Sequence, residues 1–232
     1  SAADNHVYRF TAIAEDASYN QASTTISVEI QMIPILINEV SWAGTNASAG
    51  DQWIELYNNS ALPIDLAGYT LDSNVPSGIH ASLSGVIPAH GYYLIESTAD
   101  IVISNISADL VTSFGTGLSS VGEILSLHWG STLIDQTSSL CGVLSQWCGG
   151  DLNQKFSMER NDAHVIGITI SNWGTNNTLI HNGRDSGNNP IWGTPKARNS
   201  VQYALRSGTI NSDIIFTSAE SPYVITGNLT IA

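Results

Sequence analysis

The chain has 232 residues, with seven Lys and Arg against twenty Asp and Glu for a net charge of −13, and its residues are 42% hydrophobic but only 12% charged. A groove that tracks nucleic acid needs clustered cations to displace counterions, so this balance argues against nucleic-acid binding, and an anionic membrane surface repels the chain for the same reason. The apolar share suffices for a folded core; no stretch reaches the roughly 18 apolar residues of a spanning helix, and residues 1–30 lack the basic-then-apolar order of a signal peptide.

Apolar and polar residues alternate with period two along the chain, interrupted by Gly, Pro, Asn, Asp and Ser, which predicts an all-β protein. HVYRFTAIA places Tyr8, Phe10, Ala12 and Ala14 on one face, and TTISVEIQM places Ile26, Val28, Ile30 and Met32 on one face. EDASYNQAS between them is turn material, and such a hairpin is marginal alone, so its cover must come from elsewhere. Pro34 breaks the pattern. A new series of strands then follows in ILINEVSW, QWIELYN, PIDLAGYTL, LSGVIPAHGYYLIES, ADLVTSF, EILSLHWG, STLIDQTSS and KFSMERND. Residues 171–200 are nearly all turn formers and are expected to form a long ordered loop. After Ser200 a strand pattern restarts, with Ile210, Ile214, Ile215, Phe216, Val224, Ile225, Leu229 and Ile231 as its apolar positions. It runs to Ala232 without a polar cap, which reads as a raw sheet edge or a missing continuation.

The segments ILINEVSWAG, DQWIELYNNSALPIDLAGYTL, VIPAHGYYLI, GEILSLHWGSTLIDQ, FSMERND, SNWG and GTPKARNS, in this order and spacing, resemble a lamin-tail domain of the bacterial type. The resemblance runs from about Ile35 to about Ser200 and implies an immunoglobulin-like β-sandwich. That family usually ends in Pro-Gly-x-x-Asn; here Lys196 replaces the glycine in Pro195-Lys196-Ala197-Arg198-Asn199, which leaves the type of the closing turn open. Residues 1–33 resemble the last hairpin of an immunoglobulin- or fibronectin-like repeat, and residues 208–232 the opening coil of a right-handed parallel β-helix. The expected organisation is therefore a partial hairpin at 1–33, a sandwich at 34–202, and a linker with the start of a further β module at 203–232. Such a chain reads as a piece of a long, multimodular secreted or surface protein.

Glu39 and Glu55 sit within alternating apolar strands, so they are the carboxylates expected to be buried. As a pair they fit acid/base work or a Ca²⁺ site; the preferred reading is an ion pair with Arg160 that ties the strands together. Asp185, with Asn182 and Asn188 in a Gly- and Asn-rich loop, offers oxygens for Ca²⁺ but lacks EF-hand spacing, and plain turn structure is favoured. Trp42 and Trp147 are the tryptophans expected at the surface, where they would stack on a glycan, whereas Trp53, Trp173 and Trp192 are expected to pack the core or pin the long loop. Cys141 and Cys148 fit neither a redox nor a zinc motif. A disulfide between them closes a loop worth about 2.5 kcal/mol, the alternative being two buried thiols. No nucleophile elbow, phosphate loop or His-rich metal motif is present. The expected function is a non-catalytic structural or adhesive module, extracellular or at the cell surface. It needs no cofactor, and its partners are neighbouring modules or copies of the same protein, with no direct membrane insertion. Two further readings are a filament or array subunit that exchanges β-strands, and an accessory module of a secreted hydrolase that binds Ca²⁺ or surface glycan.

Overall fold

The computed structural model describes residues 6–16, 18–30, 33–139, 141, 146–217 and 221–232, with the backbone alone for 6–10 and 26–30. The facing of Tyr8, Phe10, Ile26, Val28, Ile30 and Met32 therefore lies outside the described side chains. The chain divides into two compact units, Ser1–Pro34 and Ile35–Ala232. In the first, β1 (His6–Glu15) and β2 (Gln21–Ile30) form an antiparallel hairpin in unbroken register from His6↔Ile30 to Glu15↔Gln21. Its turn is organised by Asp16, whose carboxylate accepts the backbone N–H groups of Ser18 and Asn20 and the Asn20 side-chain amide.

The second unit begins with β3 (Ile35–Ser41), β4 (Trp53–Asn58), β5 (Ile64–Asp65), β6 (Tyr69–Ser73), β7 (His80–Ser82), β8 (Val86–Ile87) and β9 (Tyr92–Glu96). It continues with β10 (Leu110–Val111), β11 (Leu125–Trp129), β12 (Thr132–Gln136), β13 (Met158–Arg160) and β14 (Trp173–Thr175), and ends with β15 (Ala204–Ile210) and β16 (Tyr223–Ile231). One sheet has the order β10-β9-β4-β3-β13-β14, a second β12-β11-β6-β7, and β5 pairs with β8. The alternation explains the packing. Ile54 and Leu56 of β4, Tyr93 and Ile95 of β9, and Met158 of β13 meet Leu71, Leu125 and Leu127 of the second sheet in one core, while Trp53, Glu55 and Tyr57 point the other way.

β3 departs from strict alternation. Ile35 and Ile37 join the core, and so does Val40, because the register with β4 shifts between Ile37 and Glu39. Asn38 is the extra residue of a β-bulge, which changes the strand's phase and aims Glu39 away from the core.

The all-β expectation holds, with the expected sandwich strands in place. One correction concerns residues 171–200, which are not all loop: a 3-10 turn at Ile170–Asn172 leads into β14, and β14 pairs with β13. Three residues framed by Asn and Gly carry too little alternation to be read as a strand, yet Trp173 buries its ring in the core. Further on, Ile214–Phe216 form no strand, and the Phe216 ring instead packs edge-on against Tyr223. β15 and β16 pair in parallel, from Ala204↔Tyr223 to Ile210↔Ile231, and belong by their contacts to the larger unit.

Cys141 and Cys148 are joined in a disulfide. Trp147, within that loop, stacks on Trp42 with ring centroids 6.1 Å apart. Both tryptophans are buried, contrary to the exposure expected of them, and each indole N–H is taken by a carbonyl, Gly149 for Trp42 and Ser119 for Trp147. Trp147, next to the bonded Cys148, lies in the core rather than at the surface.

Candidate functional site

The outer face of the six-stranded sheet is not a solvent surface. Residues 97–109 and 176–200 cover it, and between them Trp53, Leu94, Val102, Ile103 and Ile191 form a second, smaller core. The two loops are tied to each other: Ser104 Oγ donates to the carbonyls of Arg184 and Asp185, and the Arg184 N–H donates to Asn105 Oδ1.

Beside this small core, Glu55, Glu39 and Glu159 stand side by side on three adjacent strands, since Glu39 is directly opposite both Glu55 and Glu159. All three are fully buried. Three ionised carboxylates placed opposite one another would repel, so the row is tolerated because burial favours the protonated carboxyl and each is hydrogen-bonded by other groups. Glu39 accepts from Ser157 Oγ at 2.5 Å, the Thr194 N–H at 2.8 Å and Thr194 Oγ1 at 2.8 Å. Glu55 accepts from Asn38 Nδ2 and the Lys196 N–H, and Glu159 from Asn176 Nδ2, Ser200 Oγ and the Val201 N–H. The donors are concentrated in residues 194–201. The row of glutamates therefore fastens a strap across the sheet.

Burial raises all three carboxyls. Glu39 lies well above its ordinary value, pushed first by desolvation and then by the neighbouring Glu159 and Glu55; Glu159 is raised by desolvation, and Glu55 reaches about 8 for the same leading reason. Glu96, further along the same face, accepts the Val102 and Ile103 N–H groups and is raised by desolvation to about 7.

The strap also answers the question left by Lys196. Its φ is +55°, the left-handed region that favours glycine, so the closing turn keeps a glycine-like shape with a lysine in it. The Lys196 N–H meets Glu55, and its Nζ lies 3.0 Å from Asp109 on the neighbouring loop. Asn199, at the end of the same motif, bonds reciprocally with the Asn38 amide at the bulge and donates to the Arg160 carbonyl.

The expected ion pair of Arg160 with Glu39 or Glu55 is not formed. Arg160 pairs with Asp135 of β12, NH1 to Oδ2 at 2.6 Å, and both side chains are buried. Alternation on β13 is the reason: Glu159 turns outward to Glu39, so Arg160 turns inward, over the Trp173 ring at 5.6 Å. The pair takes over where the ladder from β13 to β3 stops. Arg160 NH1 donates to the Ile37 carbonyl and Asp135 Oδ2 accepts the Ile37 N–H, so the two sheets are joined at the bulge.

Nor does the Asp185 loop offer a Ca²⁺ cradle. The carboxylate of Asp185 is buried and filled by N–H donors, from Gly187, Asn189 and Ala47. Asn182 spends its amide on the Pro195 carbonyl, and the Asn188 carbonyl accepts from Arg184. Oxygens already facing N–H groups are not turned toward a cation, and among the described residues no group of three or more His, Cys, Asp or Glu is arranged to hold a metal.

Gly193 gives the strap its close approach. A Cβ there would lie 2.6 Å from Glu39 Oε1 and 2.7 Å from Trp53 Cζ2. Gly193→Ala is expected to lower stability by about 1–3 kcal/mol. Urea unfolding measures this, and a midpoint equal to that of the original chain would show that the strap does not need the contact.

The fold and this sealed polar face define an immunoglobulin-like β-sandwich. Residues 32–139 match the family model of the Lamin Tail Domain, so over that stretch the chain is similar to this family. β13, β14 and the strap, which complete the six-stranded sheet, lie beyond the matched residues. No curated protein matches the chain.

Sequence reading found Glu39, Glu55 and Arg160 but paired them wrongly, and it missed Glu159, Asp135 and Glu96. Glu159 carried a signal, since it alternates with Met158 and Arg160 in a strand. Nothing in the sequence links Asp135 to Arg160.

Proposed function

We propose that this chain is a non-catalytic structural and adhesive module of a secreted or cell-surface multimodular protein. The observation that carries the reading is the use made of the chain's most chemically capable groups. Glu39, Glu55, Glu159 and Arg160 are fully buried, and their hydrogen bonds are made with the protein's own backbone, hydroxyls, side-chain amides and, for Arg160, a carboxylate. A catalytic carboxyl must reach substrate, whereas these reach only the strap and the facing sheet. The match to a family of immunoglobulin-like structural domains supports the same conclusion.

The Cys141–Cys148 disulfide supports placement outside the reducing cytosol. Neighbouring modules, or copies of the same protein, are the partners proposed. β1–β2 and β15–β16 each form a sheet of only two strands among the described residues, and an added strand would pair with their main chain. No helix among the described residues is long and apolar enough to cross a membrane. The test is alkylation without reduction of protein taken from its native source, combined with fractionation. Unmodified cysteines and recovery in the medium or on the cell surface are expected. Alkylation at both cysteines together with a cytosolic location overturns the proposal.

A further inference from the structure

A cavity of about 710 Å³ lies beside the strap, within the larger unit, between the end of β4 and the start of β15. This is within the about 300–1,000 Å³ typical of small-ligand sites. Its lining is unlike the rest of the molecule. Tyr57 and Tyr92, cross-strand partners on β4 and β9, lie with ring centroids 5.1 Å apart and planes tilted by 41°, and Tyr203 forms a third aromatic wall. Arg198 sits over the Tyr203 ring at 5.6 Å, and its NH2 is anchored by the carbonyls of Gln202 and Ser221. Its positive charge acts on the phenols of both Tyr57 and Tyr92. An arginine thus stands amid three tyrosines in a chain that has only seven Lys and Arg.

The hydrogen-bonding capacity left in this cavity is specific. Asn59 Nδ2 is spent on the Ala163 carbonyl and Gln202 Nε2 on the Arg160 carbonyl, which fixes both amides and leaves their oxygens as acceptors. The hydroxyls of Tyr57, Tyr92 and Tyr203 make no hydrogen bond with the described residues. The cavity therefore combines fixed acceptors, hydroxyls that both donate and accept, flat aromatic faces, and two arginines, Arg198 and Arg206, with the Asp162 carboxylate and His164 also in its lining. A purely apolar ligand would leave these polar groups unpaired at a cost. A sugar ring matches better: its hydroxyls both donate and accept, and its C–H faces lie flat on phenol rings. A carboxylate on the sugar matches the guanidinium.

We propose that this cavity binds an acidic saccharide, a short oligomer of hexuronic acid, with its rings on Tyr57 and Tyr92 and one carboxylate on Arg198. The tyrosines, not the buried Trp42 and Trp147, are the aromatic surface for a glycan. This goes beyond the structural-module reading and does not rest on it. The experiment is calorimetric titration of the chain with trimers of galacturonic, glucuronic and mannuronic acid, each beside its methyl ester. At least one acid trimer is expected to bind, its ester at least tenfold more weakly. Tyr92→Ala is expected to weaken binding at least tenfold. Arg198→Gln, at an exposed position, is expected to keep the unfolding midpoint and to abolish the preference for acid over ester. Absence of binding by all three acids overturns the proposal, as does equal affinity for acid and ester, or unchanged binding in an Arg198→Gln protein that folds normally.

Discussion

Arg160→Met is expected to cost about 3–5 kcal/mol of folding stability, more than the loss of any other arginine in the chain. The guanidinium is fully buried and serves several groups at once: the Asp135 carboxylate, the Ile37 and Val165 carbonyls, and the face of Trp173. Removing it strands Asp135, which has no other ion-pair partner among the described residues. Asp135 would still hold the Ile37 and Gly167 N–H groups, which offset part of a buried charge but not all of it. The second half of this prediction concerns the pair. Arg160→Met combined with Asp135→Leu should recover much of the loss, because the desolvation of two charges disappears along with their attraction. Equilibrium urea unfolding of the single and double variants, with Arg184→Gln as an exposed-contact control, measures both parts. A single variant within about 1 kcal/mol of the original chain would mean that the sheets are joined chiefly by apolar packing at this edge.

The second large effect is on pH dependence, and its sign is opposite to that of ordinary acid denaturation. Glu55 and Glu96 have folded-state values near 8 and near 7 against an ordinary 4.5, and Glu39 and Glu159 are raised as well. Above about pH 4.5 the unfolded chain releases protons that the folded chain still holds. Folding stability therefore falls as pH rises, by about 1.4 kcal/mol per pH unit for each retained proton, until each group reaches its folded-state value. The decline from Glu55 extends to about pH 8 and that from Glu96 to about pH 7. Asp162 runs the other way. The His164 N–H holds it below its ordinary value, so its contribution is present above the unfolded value and lost as pH falls through the folded one. The melting temperature is expected to be higher at pH 5 than at pH 8, and Glu55→Gln to flatten that slope by about one proton's worth. A melting temperature that is level or rising from pH 5 to pH 8 would show that the carboxyl row is ionised and compensated in the folded state.

How far the sequence reveals this molecule depends on which interactions are periodic. β4 is legible because Glu55 stands alone in an otherwise apolar run from Trp53 to Tyr57, and the apolar setting of Glu39 and Glu55 marks both as buried. The sandwich itself was legible through motif order from ILINEVSW to GTPKARNS. What was not legible is set by contacts between residues distant along the chain. Arg160 and Asp135 meet because β12 lies beside β3, a placement that only the closed sandwich fixes. The Trp42–Trp147 stack joins residues about a hundred positions apart, and the local composition around Trp147, rich in Gly, Ser and Cys, reads as surface. The tyrosine-lined cavity gave no signal for a related reason: Tyr57 and Tyr92 are neighbours across strands, while Arg198 and Tyr203 arrive from beyond the strap.

Asn38 has a consequence for how this strand tolerates changes in length. Because the one surplus residue is what offsets the phase, deleting its codon would leave Ile35, Ile37 and Val40 inward and Glu39 outward in plain alternation, and would remove only the Asn38 side chain and its bonds to Glu55 and Asn199. Deleting the regularly paired Leu36 instead would make Ile35 and Ile37 neighbours on opposite faces, and with Ile37 and Val40 held in place Ile35 would turn to the strap. Loss of the surplus residue therefore keeps the frame of the strand, whereas loss of a paired one beside it reverses the part that precedes it.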